Sequence, residues 1–287
     1  MSTGSVPGLR WMENGQCSLS GDLLLLERRL EDVFLGWARE ERAAEHRFPT
    51  FLPARELQKL DYFRSFAHLV TFPVALDADP ENLRSFARGE PLSAEGEIRL
   101  TRGAPIKDVL TPAACYHFYV AFQGETLAAP RHVTTRATCF RREAYYEPLQ
   151  RQWSFSMREI VCLGTSEEVE AFLARREAAA EAFWRRLDLP VEWQVATDPF
   201  FDPTRNPKYL AQKLDPVKRE MVFEGRLALG SSNFHRDVFG EAFGIRRAGA
   251  EAFSGCIAFG IERWLHAILA RFGSDPARWP EIGEGAA

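Results

Sequence analysis

Two short stretches carry side chains suited to gripping anions. Thr138-Cys139-Phe140-Arg141-Arg142-Glu143 is followed, after Tyr145 to Gln152, by Trp153-Ser154-Phe155-Ser156-Met157-Arg158-Glu159. Both read as extended strands, in which alternate side chains share a face. Cys139, Arg141 and Glu143 then point one way, and Trp153, Phe155, Met157 and Glu159 point together on the later strand. A planar guanidinium clamps phosphate and carboxylate oxygens, and an aromatic face can stack on a nucleobase. The pair of strands is thus equipped for a nucleotide.

Other reactive residues give weaker signals. The five cysteines, at 17, 115, 139, 162 and 256, are odd in number and scattered, so a disulfide framework is not indicated and a reducing cytoplasm fits. Cys17 and Cys162 read as small core hydrophobes; Cys162, three residues from Glu159, falls on the opposite strand face. The six histidines form no HExxH-like pair. His235, close behind Ser231, Ser232 and Asn233, is the one worth testing.

These residues need a scaffold. With 287 residues, 46% hydrophobic and 26% charged, the chain has the composition of a globular protein, at the upper end of what a single core supports. It contains no run of apolar residues long enough to span a membrane, and its first residues lack the apolar segment of a secretory signal. A net charge of −4 without a basic block argues against a nucleic acid as partner.

Leu23 to Ala44 has the spacing of an amphipathic helix, with Gly21-Asp22 as turn and N-cap. The segment Arg47 to Pro53 is extended because of Pro49 and Pro53, and Glu56 to Phe66 reads as helix. Residues 77–106 are polar and form an excursion from the core. Cys115 to Phe122, Val133 to Tyr146, Arg151 to Leu163 and Gly225 to Phe234 have strand-like β-branched and aromatic content. Ser166 to Leu187 is a helix capped by Thr165 or Ser166, and Gly260 to Phe272 is a last, buried helix. Strands that run as neighbours, with helices grouped around them, predict an α+β fold with an antiparallel sheet.

Three segments in order make the chain resemble a class II aminoacyl-tRNA synthetase core. Phe140-Arg141-x-Glu143, loop, Phe155 to Glu159 is similar to motif 2 (about 135–163). Gly260-Ile261-Glu262-Arg263-Trp264 resembles the end of motif 3 (about 255–272). The first long helix, running to Pro53, resembles the dimer-forming motif 1 (about 23–53). The resemblance implies one catalytic domain over 1–287, an antiparallel sheet flanked by helices, and a homodimer. It implies that Arg141 bridges the substrate carboxylate and the α-phosphate of ATP, Phe155 stacks on adenine, Arg263 grips the γ-phosphate, and Glu143 lies near the adenine or the attacking carboxylate. Glu220 or Glu224 would help bind Mg2+. Ser232 and Asn233 resemble the S-x-S-N segment beside the amino-acid site.

Among these synthetases the archaeal-type seryl and threonyl enzymes hold a zinc ion in the amino-acid pocket. The matching ligands are Cys115, Glu159 and Cys256, with Cys139 as the rival to Cys115. Three protein ligands leave one position open, as in working zinc sites, here for the substrate's α-amino group. About twenty residues precede motif 1 and fifteen follow motif 3, which leaves no room for a tRNA-binding arm or anticodon domain. Thr111 to Tyr119, Cys139 to Ile160 and Ser254 to Trp264 resemble amino acid:[carrier protein] ligases. That group implies activation of glycine or alanine as the adenylate and transfer to the phosphopantetheine thiol of a carrier protein. A tRNA-linked seryl paralogue and a non-catalytic regulatory relative are the alternatives.

Overall fold

The computed structural model describes residues 6–283. Its centre is a seven-stranded sheet. In chain order the strands are β1 (Ala44–Glu45), β2 (Arg131–Phe140), β3 (Ser154–Gly164), β4 (Val191–Val195), β5 (Lys218–Phe223), β6 (Leu227–Arg236) and β7 (Phe253–Gly260). Across the sheet they run β1-β2-β3-β7-β6-β5-β4. All neighbours pair antiparallel except the short edge strand β1, which is parallel to β2. The helices used below are α1 (Gly21–Glu40), α2 (Tyr116–Ala121), α3 (Ser166–Arg186), α4 (Pro207–Leu214), α5 (Val238–Phe243) and α6 (Ile261–Phe272). The expected antiparallel sheet with flanking helices is what the chain forms.

The strands divide their side chains by phase. On one face, Ile160, Cys162, Ile257 and Phe259 pack against the apolar stripes of α1, α3 and α6. Phe34 lies flat on Phe259, with ring centroids 4.1 Å apart, and Trp264 is fully buried beside them. Ion pairs on this face are complete: Arg158 of β3 meets Glu31 of α1, and Arg136 of β2 meets Glu27. Thr165 caps α3 with a reciprocal Glu168 bond. On the other face, Val133, Val161, Leu163 and Cys256 pack with residues of α2 and α5.

Three local expectations are corrected. Cys115 to Phe122 is not a strand: Cys115 caps α2, and Phe118, Tyr119 and Phe122 are buried around it. A short run that is apolar on every side cannot be told from a buried helix by periodicity. The first helix is capped by Ser20 rather than Gly21-Asp22 and stops at Glu40; after Arg42, at φ 53°, the chain peels off into β1. Glu56 to Phe66 breaks into helices Ala54–Gln58 and Tyr62–Ser65, with Asp61 left-handed between them. Residues 77–106 hold one helix, Pro80–Arg88, and are mostly exposed.

Gly230 of β6 shows how closely the strands meet. A Cβ there would lie 2.2 Å from the Ala258 carbonyl oxygen and 2.7 Å from Met221 Cε. The nearest atom is backbone and cannot rotate away. Gly230→Ala is expected to cost about 1–3 kcal/mol, the usual overpacking range, read as a lower thermal midpoint. An unchanged midpoint would show that the strands can part without loss.

Candidate functional site

Two cavities open on the sheet face opposite α1 and α6. The larger, about 390 Å3, is lined by Cys115, Glu159, Asn233, His235 and Cys256, and extends past Asp198 and Phe200 towards α4. The smaller, about 110 Å3, is lined by Glu143, Phe155, Glu220 and Arg263. Arg141, Met157, Lys218, Ser231 and Ala258 line both.

The strand register builds this wall. Ala258 of β7 stands opposite Glu159 on β3 and Ser231 on β6, while Cys256 stands opposite Asn233. Lys218 and Glu220 of β5 stand opposite Asn233 and Ser231. Opposed residues share a face, so the wall collects the odd-numbered residues of β3 and β6 and the even-numbered ones of β5 and β7.

The two arginines have no carboxylate partner among the described residues, in contrast to Arg158 and Arg136 on the helical face. Arg141, just beyond β2, donates from Nε to the Pro112 carbonyl at 2.9 Å, with its guanidinium carbon 5.2 Å from the Phe155 ring centroid. Arg263, in the first turn of α6, donates to the carbonyls of Gln150 and Ala228, both at 2.8 Å. Burial, then the nearby Arg141 and Arg151, pulls its pKa down to about 10. These bonds to neutral carbonyls fix the planes of both guanidiniums and leave their charge uncompensated. Two cations held side by side at the rim of a slot suit a polyanion.

At the other end of the wall, Cys115, Glu159 and Cys256 bring their ligand atoms within 4.8 Å of one another, all buried. Glu159 Oε1 accepts from the backbone N–H of Ala114 (2.8 Å) and Cys115 (3.2 Å). Burial, then Cys256, pushes the Glu159 carboxyl up to about 8. The Cys115 thiol, hydrogen-bonded to the free Cys256 and buried, is held well above its usual range. Cys256 is held well below, by Cys115 first and also by His235 and Asn233. Two sulphurs and a carboxylate oxygen converging in a buried pocket form a donor set that suits a thiophilic divalent cation.

Of the residues singled out in the sequence, Arg141, Glu143, Phe155, Glu220 and Arg263 all line the smaller cavity. Glu143 takes a hydrogen bond from Arg151 Nη1 at 2.6 Å, and Glu220 takes one from Lys218 Nζ at 3.1 Å. Glu224 lies outside both cavities, in the β5–β6 turn at φ 48°, paired with Arg226. Ser232 is displaced as well: it stands opposite Ile257 on the helical face, and Ser231 takes its place beside Asn233. Cys139 is fully buried, paired with Phe155 across β2 and β3, and is not in the Cys115 cluster. Lys218 was not singled out, although its two-residue spacing from Glu220 was readable. Its ammonium bonds Asp198 and Glu220, both at 3.1 Å, and Gln212 of α4 donates to Asp198 at 2.8 Å.

No protein-family model matches the chain. It is 34% identical to amino acid–[acyl-carrier-protein] ligase 1 of Bradyrhizobium diazoefficiens over 250 residues, 84% of this chain and 76% of that protein. Ligase 2 of the same bacterium is 33% identical over 278 residues, 93% of this chain and 82% of that protein. The type-2 serine–tRNA ligase of Methanopyrus kandleri is 28% identical, and the chain spans 49% of its length. Among solved structures, M. kandleri SerRS in complex with A. aeolicus tRNASec superposes with a TM-score of 0.80 at 22% identity, over 98% of this chain and 58% of that one. Giardia lamblia prolyl-tRNA synthetase with prolyl-adenylate gives 0.70 at 12% identity, over 95% and 52%. The fold is that of a class II aminoacyl-tRNA synthetase catalytic domain.

The unpaired arginines predict that inorganic tripolyphosphate raises the thermal midpoint of the protein, as any ligand of the folded state does. Arg263→Ala should remove that rise; a rise that survives would place the anion elsewhere. Glu262, whose carboxylate accepts the Ser156 N–H, is pushed up to about 7 by burial, against the pull of backbone N–H groups. A carboxyl raised in the folded state stabilises it at low pH, and that contribution is lost as pH climbs from about 4.5 to 7. The midpoint of Glu262→Gln relative to wild type should therefore rise between pH 5 and pH 8. A difference that stays flat would show Glu262 to titrate normally.

Proposed function

The chain belongs to the amino acid–[acyl-carrier-protein] ligase family, and from that premise we propose that it activates a small amino acid with ATP and passes it to a carrier-protein thiol. The observation that carries the reading is Arg141, an uncompensated guanidinium lining both the slot with Arg263 and the cavity with Cys115, Glu159 and Cys256. A residue so placed can hold a carboxylate against an α-phosphate.

In this reading Phe155 stacks on adenine, Glu143 lies beside it, and Arg263 takes the γ-phosphate. Glu220, beside Lys218, is the acid available to Mg2+ on this wall. A carboxylate oxygen of the amino acid attacks the α-phosphorus and pyrophosphate leaves. Arg141 and Arg263, already fixed by carbonyl oxygens, offset the charge that builds on the phosphate without reorganising. The carrier's phosphopantetheine sulphur then attacks the adenylate carbonyl, the acyl C–O bond breaks, and AMP leaves as the thiol proton is lost.

Cys115, Glu159 and Cys256 are proposed to hold Zn2+, which when bound would accept the α-amino group in its open position. Asn233 and Ser231 line the same cavity and would help receive the amino acid there, Asn233 Nδ2 donating to Ser231 Oγ at 2.9 Å. Glycine or alanine is the proposed substrate. The segment from α1 to Pro53 is proposed as the face of a homodimer. No helix of the described residues is long and apolar enough to cross a membrane.

ATP–pyrophosphate exchange with each of the twenty amino acids tests the first half-reaction. Exchange should appear with glycine or alanine, where one methyl is worth about 1–3 kcal/mol of discrimination. Arg141→Ala and Arg263→Ala should each lower it about 100-fold or more. Cys115→Ala and Cys256→Ala should abolish it, and Cys139→Ala should not. Absence of exchange with every amino acid would overturn the enzyme reading. Aminoacyl-tRNA formed in place of an aminoacyl thioester would overturn the carrier.

A further inference from the structure

His235 was prominent in the sequence and is not used by the reaction above. Asn233 of β6 is paired with Cys256 on β7, and His235, in the bulge between Phe234 and Arg236, also turns towards Cys256. Asn233 Nδ2 donates to the Cys256 sulphur at 3.3 Å, and His235 Nε2 stands 3.7 Å from the same atom. Cys115 is tied differently, its backbone N–H donating to Glu159.

The far side of the imidazole is anchored. Nδ1 lies 3.1 Å from the Tyr119 hydroxyl and 3.2 Å from the Ser254 hydroxyl, which are 3.2 Å from each other. Tyr119 and Ser254 are buried. Phe239 packs on the Tyr119 ring at 3.8 Å and meets the His235 ring edge-on at 4.9 Å. Nothing in these contacts is needed to close the core around α2, where Phe or Leu would serve as well.

Electrostatics supplies the reason. A divalent cation bound by two thiolates and a carboxylate carries one excess negative charge. That charge is buried beside the slot assigned to ATP phosphates, and no ion pair reaches the cluster among the described residues. Burying an uncompensated charge is costly unless hydrogen-bond donors surround it. Glu159 has its two backbone N–H donors; the Cys256 sulphur has Asn233 and the imidazole. We propose that His235 is a positioning residue of this metal centre, a neutral imidazole that donates its Nε2 hydrogen to the Cys256 sulphur. The inference rests on the zinc reading of Cys115, Glu159 and Cys256. The tautomer follows from chemistry: a thiolate has only lone pairs to offer, so the nitrogen facing it carries the hydrogen. Nδ1 then accepts from Tyr119 or Ser254. Such a partner orients the ligand and offsets its charge, so removing it weakens metal binding without touching the metal.

The test is zinc affinity, measured by competition with a chromogenic chelator on metal-stripped protein, alongside the sulphur-to-cobalt charge-transfer band of the Co2+ form. Wild type should take up one equivalent of zinc. His235→Ala should bind it about 10- to 100-fold more weakly, with a shifted cobalt band and an unchanged midpoint for the metal-free protein. His235→Gln, which keeps an N–H where Nε2 stood, should recover most of the affinity. Tyr119→Phe, which removes one of the two anchors, should show a smaller loss. Equal zinc affinity in wild type and His235→Ala, or a glutamine variant as weak as the alanine one, would overturn the role of His235 alone. Wild type that binds no zinc would overturn the metal reading beneath it. Should His235→Ala fail to fold, the glutamine and Tyr119→Phe variants still decide between these outcomes.

Discussion

β7 lies between β3 and β6 in the middle of the sheet, and its register with each neighbour decides what the two cavities contain. Glu159 reaches the wall because it stands opposite Ala258, a side chain too small to fill the space. Asn233 reaches Cys256 because the two are directly paired. A slip of β7 by one residue would send Cys256 into the packing against α1 and α3 and bring Ile257 to the cavities. The aromatic stack of Phe34, Phe259 and Trp264 on the opposite face works against any such slip. The apolar core thereby holds the polar site in place, although it touches none of it.

Charge is handled in opposite ways on the two faces. Arg158 and Glu159 are consecutive, and both are buried. Arg158 turns to α1 and meets Glu31 and Glu45. Glu159 turns to the cavities and meets two thiols. An ion pair closed within the fold is weak evidence of function, whereas a buried charge or acid left open marks the place where something else must bind. The same contrast separates Arg136, paired with Glu27, from Arg141 and Arg263, whose hydrogen bonds go to carbonyl oxygens.

Strand phase was legible where the strands are long. Phe155, Met157 and Glu159 sort to one face and Cys162 to the other, as alternation requires. Phase also favours Ser231 over Ser232, since Asn233 fixes the parity and Ser231 shares it. Other features were out of reach. Cys115 to Phe122 looked like a strand because an apolar run has no period to read, and only packing on all sides makes it helix. Glu224 was as plausible as Glu220 until the turn at its position was known. That Arg141 and Arg263 lack acidic partners is a property of the fold alone, since acids are plentiful nearby in the chain.

Five residues line both cavities, and two of them, Arg141 and Lys218, are charged. A guanidinium in a shared wall cannot settle around one occupant without changing what the other meets. Affinity for the two occupants is then thermodynamically linked, and linkage is reciprocal: whatever the first gains from the presence of the second, the second gains from the first. A wall thick enough to insulate two pockets would have made them independent. Here Met157, Ser231 and Ala258, one from each of three adjacent strands, are with Arg141 and Lys218 all that the two cavities share as a boundary.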